Sequence, residues 1–361
     1  MNRQAAPTSP TEPDGDASCC VLPEQVFAFG FSFRKRAILR RFMPGTVVRF
    51  VDHVPRIPAG ATLLLWGSAA PPEGLAEPVR IVRVEDGFLR SVGLGADLIH
   101  PASWVIDGTG IYYDATRPSD LEQLLQAGDF DTPLLKRAAS LRQRIADSGL
   151  TKYNTGSGGW SRPVGAAYVV LVPGQVESDA SIRYGAPAEK TNMGLLRAVR
   201  AAQPAAYIVY KPHPDVLAGL RAAGQDEGDA ARWCDATVSD VSMAALLPMV
   251  DAVHVLTSLA GFEALLRGKA VTCHGLPFYA GWGLTTDMLT TPRRSRRLSL
   301  DELVAAALIR YPAYVSRATG LRTTPETVLD ELIDLRARSS SRLPLWRKMM
   351  RHVLRLVDGV R

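Results

Sequence analysis

The sequence has no apolar stretch of about 18 residues or more, the minimum for a helix that crosses a bilayer. Its first residues also lack a basic segment followed by an apolar one, so nothing indicates a secretory signal peptide. The first absence excludes a transmembrane helix. Together the two predict a cytoplasmic protein.

Cysteine is scarce, with four residues in a chain of 361: Cys19, Cys20, Cys234 and Cys273. None has the C-x-x-C spacing of a zinc or redox site, and four cysteines are too few to stabilise a chain of this length through disulfides. We therefore predict no disulfide and no zinc site. The adjacent pair lies in a polar leader, which leaves two readings, an acylated pair or an unmodified tail.

The chain also lacks the glycine-rich motifs G-x-x-x-x-G-K-[ST] and G-x-G-x-x-G. Nucleotide binding through either motif is therefore not supported. Its cysteines and histidines show no metal-ligand spacing. We predict a protein that works without a metal ion or a resident cofactor, and loss of activity in a chelator would contradict this.

Positive charge is unevenly distributed along the chain. There are 42 basic and 36 acidic residues, a net charge of +6. Residues 336–361 contain eight of the basic residues and one acidic residue, so this tail carries +7 and the remainder carries −1. A nearly neutral body is not built to hold nucleic acid, and no nucleic-acid partner is predicted.

The basic tail contains a helical pattern between residues 344 and 357. Apolar side chains recur at helical spacing, and basic ones occupy much of the opposite side. The apolar positions are Leu345, Trp346, Met349, Met350, Val353, Leu356 and Val357, and the basic ones are Arg347, Lys348, Arg351 and Arg355. Two interpretations stay open: a helix that lies on the anionic inner face of a membrane, and a terminal helix docked on the body.

Short apolar runs alternate with helical patterns after a polar leader, which predicts an α/β fold with parallel sheets. A flexible Thr-Gly-Ser-Gly-Gly segment at 155–159 interrupts the alternation. We predict two Rossmann-like domains that face each other across a cleft, at residues 25–155 and 156–320. A disordered leader (1–24) and C-terminal helices with the basic tail (321–361) flank them.

Ligands of open parallel sheets bind beyond the carboxyl ends of the strands, so the loops after predicted strands are where chemistry is expected. Glu85, Asp86 and Gly87 follow the predicted strand 79–84. Two adjacent carboxylates in a cleft are candidates for a nucleophile or a general base. An Asp-Gly turn with a solvated glutamate is the structural alternative.

A second loop, Tyr210–Pro214, places one imidazole between two prolines. The prolines fix the backbone around His213, and Lys211 lies two residues before it. The two side chains are suited to neutralise a leaving phosphate, with His213 as the proton donor. A structural histidine that caps the next helix is the alternative.

Two further loops carry polar groups. Thr257 and Ser258 precede a predicted helix, whose N-terminus suits a phosphate, while Glu263 suits ribose hydroxyls. Plain N-capping by the hydroxyls is the alternative. The loop after the predicted strand 166–172 is expected to line the interdomain cleft. Its polar side chains are Gln175, Glu177, Asp179 and Ser181.

Longer segments around these loops are VEDGFLRS (84–91), GIYYD (110–114), YKPHPD (210–215), LTSLAGFEALLRGK (256–269) and GLPFYAGWGL (275–284). They resemble capsule polysaccharide biosynthesis proteins of the KpsC type. The resemblance implies a GT-B-like, retaining β-Kdo glycosyltransferase. It implies CMP-Kdo as the donor substrate and a Kdo linker between a lipid anchor and capsular polysaccharide as the product. Similar acidic and His-Pro segments occur in bacterial sialyltransferases, whose donor is related.

The resemblance also implies roles for individual residues. Asp86 is the nucleophile that forms a covalent Kdo-enzyme intermediate, Glu85 orients it, and His213 protonates the departing phosphate. Arg90 and Arg183 are two open choices for the Kdo carboxylate. The CMP-sugar site is implied to consist of Lys211, His213, Pro214, Thr257, Ser258, Glu263, Gln175 and Arg183.

The aromatic side chains Phe278, Tyr279 and Trp282 either close the cleft over a sugar or pack the domain interface, and packing is favoured for Trp282. Members of the family commonly carry two related transferase modules, whereas this chain has room for one. Whether it adds one linkage while a partner adds the other therefore stays open.

The predicted partners are CMP-Kdo, a lipid-linked or Kdo-terminated glycan acceptor, and the inner leaflet of the inner membrane. Two other functions stay open. One is a non-catalytic component of a capsule assembly and export complex, and the other is a transferase of the same fold with a different nucleotide-sugar donor. The intact Glu85–Gly87 and Lys211–Pro214 segments favour an enzyme, because a binding module has less need of both.

Overall fold

The structure, a computed structural model, describes residues 20–89, 101–151, 156 and 158–339. Within them, thirteen strands form two sheets, and ten α-helices pack around the sheets. This arrangement confirms the predicted α/β fold class. The amphipathic pattern predicted between residues 344 and 357 lies outside the described residues, as does most of the leader.

The secondary structure elements are numbered in chain order. The strands are β1 (Gln25–Phe29), β2 (Val47–Val51), β3 (Thr62–Trp66), β4 (Arg80–Asp86), β5 (Ser103–Asp107), β6 (Val169–Pro173), β7 (Tyr207–Lys211), β8 (Ala236–Thr237), β9 (Ala252–Val255), β10 (Ala270–Cys273), β11 (Thr286–Asp287), β12 (Pro312–Val315) and β13 (Arg322–Thr323). The α-helices are α1 (Phe33–Phe42), α2 (Asp120–Ala127), α3 (Thr132–Ser148), α4 (Ala180–Gly185), α5 (Asn192–Ala202), α6 (Pro214–Leu217), α7 (Met243–Leu246), α8 (Leu259–Leu265), α9 (Leu300–Val304) and α10 (Pro325–Ser339). A π-helical segment, Ala305–Arg310, continues α9.

The first sheet has the strand order β13-β12-β5-β4-β3-β1-β2. Strands β2, β1, β3 and β4 are parallel, whereas β5, β12 and β13 each run antiparallel to their neighbours. These three strands depart from the parallel arrangement that the sequence predicts. The reason is that β5 and β12 are buried along their whole length, and a continuous apolar run does not reveal strand direction.

The second sheet is parallel throughout, with the order β11-β10-β9-β6-β7-β8. After it the chain returns to the first half, where β12 pairs with β5 and α10 packs on α3. Arg137 of α3 forms an ion pair with Glu326 of α10 at 2.8 Å. The predicted domain 156–320 includes β12. The hydrogen bonds of β12 with β5, however, place this strand in the first sheet.

Helix boundaries follow from short polar side chains and one glycine. Ser119, Asp131 and Thr191 precede α2, α3 and α5, and each accepts a hydrogen bond from the backbone N–H three residues later. Helix α3 ends at Gly149, whose φ of +62° is strained for any side chain with a Cβ. These signals mark where the three helices begin and where α3 ends.

The two halves share an apolar core and a buried ion pair. The ring centroids of Phe88 from the first half and Phe278 from the second lie 4.6 Å apart. Glu122 at the start of α2 accepts hydrogen bonds from Arg293 at 2.6 Å and Arg294 at 2.9 Å, both from the segment after β11. Arg294 is only 3% exposed, so this pair fixes how the two sheets are placed.

Candidate active site

The carboxyl end of β4 in the first sheet faces the loops after β6, β7 and β9 of the second across a cleft of about 400 Å³. A volume of this size is typical of small-ligand sites. All four loops that the sequence singles out therefore contribute to one site. The predicted residues that line it are Glu85, Asp86, Gln175, Asp179, Ser181, Lys211, His213, Pro214, Thr257, Ser258 and Glu263.

Asp86 is the last residue of β4, and two indole rings fix its surroundings. Its Oδ1 atom accepts a hydrogen bond from Nε1 of Trp104 at 3.1 Å. Trp104 is buried in β5 and packs edge-on against Trp66, with ring centroids 5.1 Å apart. Because Trp104 occupies a central strand of the sheet, it holds the Asp86 carboxylate at the cleft wall in a defined orientation.

Glu85 belongs to the same strand but contacts different groups. Its Oε1 accepts a hydrogen bond from the backbone N–H of Asp86 at 3.0 Å. A Cβ added to Gly67 would come within 2.8 Å of both the Glu85 carboxylate and the Tyr113 hydroxyl, so glycine is needed there. Burial, and next the Glu85 carboxylate, raise the pKa of Tyr113. The phenol therefore stays protonated and can donate a hydrogen bond.

Lys211 supplies positive charge to the cleft, and His213 supplies a hydrogen-bond donor. Lys211 ends β7 and is 5% exposed, and burial lowers the pKa of its ammonium while Asp240 opposes that shift. His213 is 9% exposed, and its Nδ1 accepts a hydrogen bond from the backbone N–H of Asp215 at 3.2 Å. The predicted capping role is therefore real. It also places the proton of the neutral imidazole on Nε2, which makes Nε2 a donor.

Gln175 and Thr257 hold two of the loops together. The Gln175 amide donates to Thr257 Oγ1 at 3.1 Å, and its carbonyl oxygen accepts from the Thr257 backbone N–H at 2.9 Å. Asn192 of α5 forms a second reciprocal pair with the Gln175 backbone, at 2.9 Å in both directions. Gln175 thus joins the loops after β6 and β9. Thr257 Oγ1 already accepts one bond, so its hydroxyl proton is directed elsewhere.

Ser258 and Glu263 belong to the short helix α8. Ser258 caps this helix, because its Oγ accepts a hydrogen bond from the backbone N–H of Ala260 at 3.2 Å. The Tyr279 hydroxyl donates to the Ser258 carbonyl oxygen. Glu263 lies one turn further along, is 8% exposed, and lines the cleft. The capping alternative for Ser258 is therefore confirmed, and it places both side chains at the cleft wall.

Some predicted residues lie away from the cleft. Arg183 is exposed on α4 and does not line it. Glu177 accepts hydrogen bonds from the backbone N–H groups of Asn192 and Gln225, so its carboxylate braces a loop. Trp282 is fully buried and donates to the Phe278 carbonyl oxygen at 2.8 Å, which agrees with packing. Arg90 lies outside the described residues.

Sequence reasoning missed several residues of the site. Among the described residues, Arg221 is the arginine that lines the cleft, eight positions after His213. Trp66, Tyr112 and Tyr113 form part of the wall on the first-sheet side. The signal for Arg221 was its place in the loop after β7, the same loop as His213. No such signal marked Trp66, because it reads as the end of an apolar strand.

Several known proteins are similar to this chain. A family model for capsule polysaccharide biosynthesis proteins matches residues 62–153 and 162–321. Capsule polysaccharide modification protein LipA of Neisseria meningitidis is 44% identical over 324 residues, which cover 86% of this chain and 46% of LipA. Lipopolysaccharide-processing protein LpsZ of Rhizobium meliloti is 45% identical over 265 residues, which cover 71% of this chain and 60% of LpsZ. The chain therefore spans about half the length of these relatives.

Two solved structures share the fold. The β-Kdo 2,7 transferase of Thermosulfurimonas dismutans KpsC has a TM-score of 0.73 and 40% identity, and the match covers 87% of this chain and 100% of that one. The β-Kdo 2,4 transferase of the same KpsC has a TM-score of 0.71 and 34% identity, with 85% and 97% covered.

Two β-sheets surrounded by helices, with a polar cleft between the carboxyl ends of their strands, define a GT-B-like protein. Within that class, the chain belongs to the capsule polysaccharide biosynthesis protein family. None of the helices in the described part of the chain is both long and apolar enough to cross a membrane. No group of three His, Cys, Asp or Glu side chains among the described residues is arranged to hold a metal ion.

Proposed function

We propose that the chain is a retaining β-Kdo glycosyltransferase that moves Kdo from CMP-Kdo to a lipid-linked or Kdo-terminated acceptor during capsule assembly. The observation that carries this proposal is the placement of Glu85 and Asp86 across one cleft from Lys211 and His213. The two KpsC Kdo transferases that share the fold support the choice of sugar.

In the first step, the Asp86 carboxylate attacks the anomeric carbon of Kdo. The bond from that carbon to the phosphate oxygen breaks, and CMP leaves with the bonding electrons. CMP departs as its phosphate anion, which accepts a hydrogen bond from Nε2–H of His213 and is stabilised by the nearby Lys211 ammonium. The Trp104 indole, which already donates to Asp86, keeps the carboxylate aimed at the cleft.

In the second step, an acceptor hydroxyl attacks the same carbon and displaces Asp86. The hydroxyl proton is released to solvent water as the new bond forms. Two inversions at one carbon give net retention, so the product is a β-linked Kdo. CMP departs from the side of the anomeric carbon opposite Asp86, and the acceptor hydroxyl attacks from that same side. CMP must therefore leave before the acceptor attacks.

The sugar and nucleotide need further contacts. Arg221, which lines the cleft, is our assignment for the Kdo carboxylate, whereas Arg183 lies outside the cleft. Thr257 and Ser258 are assigned to the phosphate and Glu263 to the ribose hydroxyls. Cationic side chains take the place of a metal ion, so turnover in a chelator should equal turnover without it.

The test is a coupled assay in which CMP-Kdo is generated enzymatically in the presence of the purified protein and synthetic Kdo-terminated acceptors. We expect a product heavier by one Kdo with a β anomeric signal in NMR spectra. Intact-mass spectrometry should detect a Kdo adduct on the protein that is absent from Asp86→Ala. An α-linked product, or normal turnover by Asp86→Ala at unchanged thermal stability, would contradict the mechanism. Turnover with another nucleotide sugar and none with CMP-Kdo would contradict the donor.

A further inference from the structure

Helix α1 is the most cationic helix of the described chain. Its ten residues, FRKRAILRRF, include five basic side chains and no acidic one. One nearby acid, Asp52, forms an ion pair with Arg36 at 2.6 Å. The five basic residues and Asp52 together have a formal charge of +4 at neutral pH. The basic residues are Arg34, Lys35, Arg36, Arg40 and Arg41.

The two faces of α1 have different surroundings. Ile38, Leu39 and Phe42 are buried and anchor the helix to the first sheet. The outward face of α1, defined as Phe33, Arg34, Ala37, Arg40 and Arg41, is exposed. Phe33 is 91% exposed, although an aromatic side chain gains free energy when it leaves water. An exposed aromatic side chain beside arginines suits a membrane interface, where aromatic rings lie at the level of the headgroups and cations contact anionic lipids.

Helix α1 also lies at the rim of the cleft. It follows β1 at the carboxyl edge of the first sheet, the edge that carries Glu85 and Asp86. The Lys35 ammonium is 3.3 Å from the centroid of the Trp66 ring, and Trp66 lines the cleft. A surface that covered the outward face of α1 would therefore adjoin the cleft mouth.

We propose that the outward face of α1 docks on the surface of an anionic lipid bilayer. The arginines are complementary to acidic headgroups, and Phe33 inserts its ring between them at the depth where aromatic side chains prefer to lie. Nucleic acid is less well matched, because Phe33 is the one aromatic residue among the five that define this face, and a stacking platform needs several exposed rings. The bilayer would then present lipid-borne groups at the cleft mouth, a consequence that rests on the proposed function.

The test is flotation of the full chain with vesicles of phosphatidylcholine mixed with phosphatidylglycerol, and with vesicles of phosphatidylcholine alone. We expect binding to the mixed vesicles only, and weaker binding at high salt. Each near-surface cation contributes about fivefold in affinity, so Arg40→Glu with Arg41→Glu should lower the affinity at least about 25-fold. Phe33→Ser should weaken binding by a smaller factor.

Matched controls change the same residue types on other surfaces. Lys136→Glu with Arg232→Glu reverses two exposed charges, and Met288→Ser removes an exposed apolar side chain. We expect these variants to bind as the unmodified chain does. Equal binding by the α1 variants, equal losses in the controls, or equal binding to neutral vesicles would overturn the proposal. Equal binding by the α1 variants would assign any membrane contact to another part of the chain.

A second readout separates this inference from the proposed function. Turnover of a soluble Kdo-terminated acceptor should be the same in the unmodified chain and the α1 variants. If the unmodified chain has no transferase activity while vesicle binding still requires α1, the proposed function fails and the docking surface stands. If turnover is normal and the α1 variants bind vesicles as well as the unmodified chain does, the docking proposal is wrong while the proposed function stands.

Discussion

The two sheets meet at one cleft but hold their polar side chains there by different structural means. The first sheet places Glu85 and Asp86 within strand β4, which is hydrogen-bonded to β3 on one side and β5 on the other. The second sheet places Lys211 at the end of β7, and its remaining polar groups lie on loops and on the short helices α4 and α8. Glu85, Asp86 and Lys211 are thus fixed by backbone ladders, whereas His213 and the hydroxyls depend on contacts between loops.

This difference corresponds to two kinds of work. A covalent step needs its nucleophile within a few tenths of an ångström of one position, which a central strand provides. Binding of a nucleotide tolerates more adjustment, and loops joined by a few hydrogen bonds are adequate. The reciprocal bonds between Gln175 and Thr257 show how the second sheet supports such loops. The first half is therefore expected to supply the nucleophile, and the second half to bind the nucleotide and stabilise the departing phosphate.

The largest effect is expected for Asp86→Ala. Removal of the nucleophile should lower kcat by at least about 10⁴-fold, as loss of a catalytic nucleophile does in other enzymes. Alanine is preferred to asparagine, because an asparagine before Gly87 deamidates to aspartate. Glu85→Gln, one residue earlier, should cost less because Glu85 only orients its neighbour. The measurement is turnover of CMP-Kdo at saturating acceptor, and a loss below tenfold for Asp86→Ala would break the comparison.

The next effect concerns the contact between the two halves. Glu122→Gln leaves Arg294 buried without its charge partner, which should lower the free energy of unfolding by about 3–5 kcal/mol. Asp229→Asn is the matched control, because its ion pair with Arg232 is exposed on both sides and should contribute less than about 1 kcal/mol. Urea unfolding measures both. Equal losses would show that the Glu122 pair does not fix the two sheets.

A smaller loss is expected on the second side of the cleft. Lys211→Met keeps the length of the buried side chain but removes its charge, so the phosphate loses one stabilising partner. We expect kcat/KM for the donor to fall about 100-fold, about 3 kcal/mol, within the range for a lost oxyanion partner. Arg221→Gln at the exposed rim should cost about tenfold or less. A loss below about threefold in Lys211→Met would show that the Lys211 ammonium does not stabilise the departing phosphate.

The sequence predicts the chemistry of the cleft better than its architecture. Glu85, Asp86, Lys211 and His213 were found because carboxylates, cations and prolines stand out at the ends of apolar strands. The direction of β5 and β12 was not predictable, because burial on both faces makes parallel and antiparallel strands read alike. The return of β12 to the first sheet depends on pairings about 200 residues apart, which local patterns do not record.

Residues that act through geometry were also missed. Trp66 and Trp104 read as ordinary strand residues, and only the sheet places Trp104 Nε1 beside Asp86. Gly67 has a role because Glu85 and Tyr113 approach it, a contact that spans up to 46 residues of chain. Arg183 was chosen for its charge and position in a loop, yet it is exposed on α4 outside the cleft. The sequence therefore indicates candidate residues by their type and position, whereas the folded structure determines which of them lie together in the cleft.

The smallest effect that we predict is a loss of stability in acid, which originates in the second sheet and not in the first. His254 on β9 is 3% exposed, and its Nδ1 lies 3.2 Å from Nε2 of His274. Burial, and next the charge of His274, lower the pKa of His254 to about 4. Between that value and the unfolded pKa of about 6.5, the unfolded chain binds more protons than the folded one. Stability therefore falls as the pH falls through this window.

The lowered pKa of His254 predicts that the free energy of unfolding of the protein drops by about 2 kcal/mol from pH 7 to pH 5. His254→Gln should remove most of this drop, because glutamine does not titrate, even if the variant is less stable at pH 7. His53→Gln changes an exposed histidine of the first half and should leave the drop intact. Urea unfolding at the two pH values measures all three chains. A drop of the same size in His254→Gln would assign the acid sensitivity to other groups, and the second sheet would then respond to pH no differently from the first.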